Sequence, residues 1–151
     1  MNTDRVRSDF DEIARLSDLH DEETGRYDSF LLSLVPQSAT TVLDVGCGPG
    51  RLTAKVAASH REVVGIDLST QMIARAGERA HRDLSFICDD FLTHDFGSEK
   101  FDCLLTAAAL HHVPIDGAFP RLLELLAPAD CGRDWPGGLS SPCIDPLNFR
   151  F

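Results

Sequence analysis

The stretch Val42-Leu43-Asp44-Val45-Gly46-Cys47-Gly48-Pro49-Gly50 limits the folds open to this chain more than any other feature. An apolar run short enough for a buried strand, Thr41 to Val45, leads straight into glycines at alternate positions. Leu52, Val56 and small alanines then recur at helical spacing up to Ser59. Strand, tight turn and helix in that order open a βαβ unit. The glycines let the backbone turn sharply and come close to a ligand, which a Cβ would obstruct, and Gly48 and Gly50 are the contact candidates.

The pattern repeats downstream. Glu62 to Ile66 reads as a second strand ended by Asp67, with Ser69 as the N-cap of a helix running to about Ala80. Leu84 to Cys88 reads as a third strand, Asp89 and Asp90 as an acidic turn, and Phe101 to Ala107 as a fourth strand. Ala118 to Leu126 has helical spacing, with Pro120 tolerable only in the first turn. Short, nearly all-apolar strands alternating with helices predict an α/β fold whose parallel sheet is covered on both faces. Ahead of it, Phe10 to Leu34 predicts two amphipathic helices broken near Gly25, the second ended by Pro36. From Ala129 onward Gly132, Pro136, Gly137, Gly138, Pro142 and Pro146 punctuate a stretch without periodicity, in which only Leu147 to Phe151 suggests a brief strand. The expected division is an N-terminal helical lid over 1–36, a ligand-binding core over 37–128 and an irregular tail over 129–151.

Composition narrows the partners. A formal net charge of -10 disfavours nucleic acid, because affinity for a polyanion rests on Lys and Arg neutralising phosphates. The chain has no apolar run long enough to cross a bilayer and no apolar region of a signal peptide near Met1, so no membrane partner and a cytoplasmic location are expected. The five cysteines, Cys47, Cys88, Cys103, Cys131 and Cys143, lack CxxC spacing and a matched His cluster, so neither a metal site nor a disulfide framework is expected.

Asp67 follows the glycine loop by roughly 20 residues, at a strand end where acids in such folds accept hydrogen bonds from ribose hydroxyls. A dinucleotide would call for GxGxxG, but Arg51 stands where the third glycine of that pattern belongs. That departure weakens a nicotinamide oxidoreductase reading. A tight turn with no ligand is the other alternative, and Asp44 and Asp67 flanking the loop weigh against it.

At these residues, and in Leu110-His111-His112-Val113 after strand four, the sequence resembles the class I S-adenosylmethionine-dependent methyltransferases of the small-molecule type, over most of its length to Pro128. The resemblance implies a Rossmann-like fold with S-adenosyl-L-methionine as cofactor and a small-molecule methyl acceptor. It places Gly46, Cys47, Gly48 and Gly50 around the methionine and ribose parts, Asp44 near the amino end and Asp67 on the ribose, with Leu68 beside it. Asp89 would meet the adenine amino group, with Asp90 and Phe91 following it, although Asp90 also reads as an exposed turn acid. Met72 would pack on the adenine, or equally in the core. Ala107 lies under the cofactor by the same resemblance.

His111 or His112 would face the methyl and acceptor, where a histidine can accept a proton near neutral pH; one of an adjacent pair commonly faces solvent or caps a helix instead. The N-terminal helices would fold over the site, bringing Tyr27 and Phe10 to the acceptor side. No Asp/Asn-Pro-Pro-Tyr/Phe follows strand four, which disfavours methylation of nucleic-acid bases. Family members continue with Pro-Gly-Gly and strands five to seven, whereas Ala127-Pro128 is followed here by Ala129-Asp130 and coil. The expectation is an incomplete fold of strands one to four, from truncation or a frameshift after Pro128. Strand four would then be an exposed edge open to self-association, with weakened turnover. A noncatalytic cofactor-binding or interaction fragment is the alternative from a different functional class.

Overall fold

Four short apolar segments, β1 (Thr41–Val45), β2 (Glu62–Asp67), β3 (Leu84–Cys88) and β4 (Cys103–Leu105), pair in parallel in the order β3-β2-β1-β4. They belong to a computed structural model that describes residues 3–16, 25–60, 62–107, 109–110 and 113–128. The helices are α1 (Thr3–Leu16), α2 (Gly25–Leu34), α3 (Arg51–Ala57), α4 (Thr70–Gly77) and α5 (Ile115–Leu125). In β1 and β2 four consecutive residues are buried, as expected of central strands with helices on both faces. The pleat sends neighbours to opposite layers: Val42 and Val63 pack with Val35 and Val56 near α3, while Leu43 and Val64 pack with Phe96, Phe101 and Leu125 near α5. Leu43 is fully buried, so truncating it to alanine should cost about 2–5 kcal/mol.

The first three strands and the N-cap fall where the sequence places them, and the Ser69 side chain accepts from the Met72 amide. The fourth strand is shorter than expected. Gly46 and Cys47 both donate to the Ile66 carbonyl, on the β2 side, so β1 has turned away before it can pair with anything beyond Leu105. The last helix begins three residues earlier than expected, where the Gly117 and Ala118 amides donate to the Pro114 carbonyl. Pro120 therefore lies past the first turn, where its missing N–H leaves the Asp116 carbonyl without its helical donor. Two helices are found ahead of the sheet, with the boundary at Gly25 as expected: that residue is the first of α2.

The outer side of β4 is not bare at its entry. Phe101 donates to the Leu125 carbonyl and accepts from Ala127, forming a parallel bridge to Leu126. The base of the β1–β4 pair is closed by Asp102, whose carboxylate accepts from the Thr40 amide, the Thr40 hydroxyl and the Thr41 amide. Burial is the largest influence on Asp102 and raises its pKa, but these bonds outweigh it and hold the group below the usual carboxylate range. No helix among the described residues is long and apolar enough to cross a membrane. The expected tail, 129–151, lies outside the described residues.

Candidate functional site

The strand order reverses between β1 and β4, since β2 and β3 lie on one side of β1 and β4 on the other. In open α/β sheets such a switch point leaves a crevice beyond the carboxyl ends of the strands. Here the crevice is a cavity of about 490 Å³, within the range of small-molecule sites.

The glycine loop forms one wall. Gly46 allows the segment after β4 to approach, because a Cβ there would stand 2.2 Å from the Ala109 Cβ. Gly48, at φ +53, donates its amide to Asp67 Oδ2 at 2.9 Å, and a Cβ on it would meet no protein atom within 4 Å. Open space at that point of the lining is room a ligand can use. Gly50 differs: it does not line the cavity, and a Cβ there would come within 2.6 Å of the Phe86 ring. Its left-handed backbone starts α3 and lets the loop rest on β3, so the structure gives it a packing role where the sequence suggested ligand contact.

The remaining cofactor candidates converge. Asp44, Cys47, Asp67, Leu68, Met72, Asp89, Asp90, Phe91 and Ala107 all line the cavity together with Gly46 and Gly48. Asp67 Oδ1 accepts from the Ser69 amide at 2.8 Å, so this one carboxylate ties the glycine loop to the β2–α4 turn. Burial nevertheless raises its pKa, against the lowering effect of those amides. Asp44 is more deeply enclosed; desolvation pushes it up to about 6, although the Thr53 hydroxyl donates to it at 2.6 Å. Burial, with the nearby Asp44 and Asp67 charges, also pushes the Cys47 thiol far up, leaving it a neutral wall group.

Past β3, Asp89 accepts from the Asp90 amide on Oδ1 and pairs through Oδ2 with His94 Nδ1 at 2.8 Å; chiefly through that His94 bond its carboxyl is held low. Asp90 accepts from the Leu92 amide, the turn geometry its position suggested, while also bordering the cavity. Every ionisable acid or base in the described lining is an Asp or a Cys; it includes no Lys or Arg side chain.

Helix α1 supplies Val6 and Phe10 to the same cavity. Its seat is polar: Asp11 Oδ1 accepts from the Ser69 hydroxyl at 2.5 Å and from the Gln71 amide at 3.2 Å, and Arg7 donates to the Leu68 carbonyl. Phe10 was expected here; Val6, one helical turn before it, carried the same signal but was not singled out. Leu92, Val113 and Pro114 also line the site; each is adjacent to a residue or segment with a sequence signal but has none of its own. The catalytic candidates His111 and His112 lie outside the described residues, as does the side chain of Tyr27, whose backbone belongs to α2.

Residues 42–129, more than half of the chain, match the family described as methyltransferase domain. An uncharacterized methyltransferase of Mycobacterium tuberculosis is 35% identical over 104 residues, covering 68% of this chain and 53% of its own length. A sterol 24-C-methyltransferase of Candida albicans is 32% identical over 117 residues, covering 71% of this chain and 31% of its own. The chain thus spans about half the length, or less, of these relatives. Among solved structures, the N-methyltransferase NodS from Bradyrhizobium japonicum, in complex with S-adenosyl-L-homocysteine, superposes with a TM-score of 0.70 at 25% identity, over 85% of this chain and 69% of that one. With its four-stranded parallel sheet and a crevice at the switch point, this chain belongs to the Rossmann-like methyltransferase domain family.

Proposed function

We propose that this chain binds S-adenosyl-L-methionine in the cavity above β1 and β4 and transfers its methyl group to a small-molecule acceptor. The observation that carries this reading is the chemistry of the described lining: Asp44, Asp67, Asp89 and Asp90, with no Lys or Arg among the described residues that border the cavity. Such a site offers acceptors to hydroxyls, amines and cations and repels pyrophosphate, which argues against a dinucleotide. The open space at Gly48 is a cradle that a Cβ would fill, and it fits a ligand lying along the loop.

When bound, S-adenosylmethionine supplies an electrophilic methyl on a sulfonium. The tasks left to the protein are binding, alignment and exclusion of water. Asp67 keeps lone pairs beyond those used by the Gly48 and Ser69 amides, and they suit vicinal ribose hydroxyls. Asp44, desolvated and reluctant to ionise alone, suits the cationic amino group of the bound ligand, which would compensate its charge. Asp89 serves the purine end, with Met72 and Phe91 as apolar walls and Val6 and Phe10 shielding the site. The same proposal assigns the acceptor side to His111, His112 and Tyr27, takes residues 1–36 as lid, and places the protein in the cytoplasm. It also includes pairing of two copies along β4 beyond the Leu126 bridge, which sedimentation velocity checks.

Calorimetry with S-adenosylhomocysteine beside NADH tests the reading. One-to-one binding of the first and none of the second is expected; preference for NADH would overturn it. Formation of S-adenosylhomocysteine in the presence of pooled amine, hydroxyl and sterol acceptors then tests transfer.

A further inference from the structure

His94 does not line the cavity, yet the structure builds a frame around it. Its Nδ1 lies 2.8 Å from Asp89 Oδ2, and its ring stands edge-on to Phe96 at 4.6 Å between centroids and 80°. Phe96 is itself braced edge-on by Phe101 and covered by the Arg121 guanidinium of α5, 5.6 Å from the ring centre. Arg121 also donates to the His94 carbonyl, and the His94 amide donates to the Asp90 carbonyl at 2.8 Å. With Oδ1 of Asp89 held by the Asp90 amide, both carboxylate oxygens have fixed donors.

An exposed ion pair is ordinarily worth little, because two free side chains must be ordered to form it. Here the imidazole is already immobilised by packing and is largely shielded, whereas Asp89 stays half exposed at the cavity rim. Most of the ordering has been met by the fold, so the bond can orient the carboxylate. A donor on Nδ1 is present in either the Nδ1–H tautomer or the imidazolium, so the pairing does not require one charge state of the ring.

We propose that His94 is a positioning residue that fixes Asp89 as an acceptor at the cavity rim and thereby sets which purine edge the site takes. This rests on the nucleoside-binding reading above. A carboxylate held as acceptor favours a 6-amino purine, which donates, over a 6-oxo purine, which presents a carbonyl oxygen to it.

The test measures binding of S-adenosylhomocysteine and S-inosylhomocysteine, whose exocyclic amine is replaced by a carbonyl, to the full chain and its variants. His94→Phe keeps a ring against Phe96 but removes the donor; His94→Asn keeps a donor near the place of Nδ1. The wild type should prefer the amino purine. His94→Phe should lose about three- to fivefold in affinity for it and little for the oxo purine, His94→Asn should recover most of that loss, and His94→Phe added to Asp89→Asn should change nothing further. Equal weakening of both ligands, or a His94→Phe effect that persists in Asp89→Asn, would overturn the proposal by making the residue merely structural. Unchanged binding in a folded His94→Phe would overturn it too. Failure of the wild type to bind either ligand would instead refute the cofactor reading on which the proposal stands.

Discussion

Substituting alanine at Gly48 and at Gly50 separates ligand contact from packing within one loop. Both residues have left-handed backbones, at φ +53 and +74, so an alanine at either costs about 1 kcal/mol in conformation. At Gly48 the new Cβ meets nothing. Folding should therefore lose only that amount, or about 2–4 °C in Tm for a chain of this size. At Gly50 the Cβ meets Phe86 at 2.6 and 2.8 Å and Ala76 at 3.0 Å, and the ring cannot retreat freely because it packs against the core layer near α3. Overpacking adds about 1–3 kcal/mol, for a total drop of roughly 5–15 °C.

Ligand reverses the ranking. At a hundred times Kd, S-adenosylhomocysteine should stabilise the wild type by about 2.7 kcal/mol. A tenfold loss of affinity in Gly48→Ala would leave about 1.4 kcal/mol at the same concentration. Gly50→Ala, wherever it remains folded, should keep the full gain. Scanning calorimetry of the three proteins with and without ligand reads both quantities. A full ligand shift in Gly48→Ala, or a ligand shift lost in Gly50→Ala at unchanged Tm, would refute the division of roles.

Asp44 offers a test through pH. Its folded-state pKa is raised to about 6 from 3.8, so the fold favours the protonated form: its contribution is most favourable below about pH 4 and is lost as pH rises through 6. In urea unfolding without ligand, the stability of the wild type relative to Asp44→Asn should fall by about 2–3 kcal/mol between pH 4 and pH 7, and a flat difference would show that Asp44 is not desolvated as described. Asp11→Ala removes the acceptor for the Ser69 hydroxyl and the Gln71 amide, and should cost about 1 kcal/mol and raise amide exchange along α1; protection equal to wild type would mean that α1 is held by its apolar face alone.

Local signals proved the most legible in the sequence. The apolar runs of β1, β2 and β3, the alternate glycines and the Ser69 cap are each read from a few neighbouring residues, and they point to the four acids that border the cavity and to part of its loop lining, but not to Pro49, Leu92, Ala109, Val113 or Pro114. Long-range closures were not legible. The seat of α1 depends on Asp11 meeting Ser69, 58 residues away, and the β1–β4 clamp on Asp102 meeting Thr40, 62 residues away. The length of β4 was misjudged because it is set by where β1 departs, not by the apolar character of Phe101 to Ala107. Gly50 looked like Gly48 in sequence because a positive φ is common to both; only the position of Phe86 on another strand tells them apart. His94 has no periodicity to mark it, and its importance arises from a turn that folds it back on Asp89.

Asp67 bonds the amides of both Gly48 and Ser69 while also facing the cavity. Anyone seeking to retune ligand choice at that position would at the same stroke remove the tether between two turns. Redesign therefore has an order of operations: a new acceptor for those amides must be installed first. A single substitution that leaves no acceptor there would loosen both turns together with the lining.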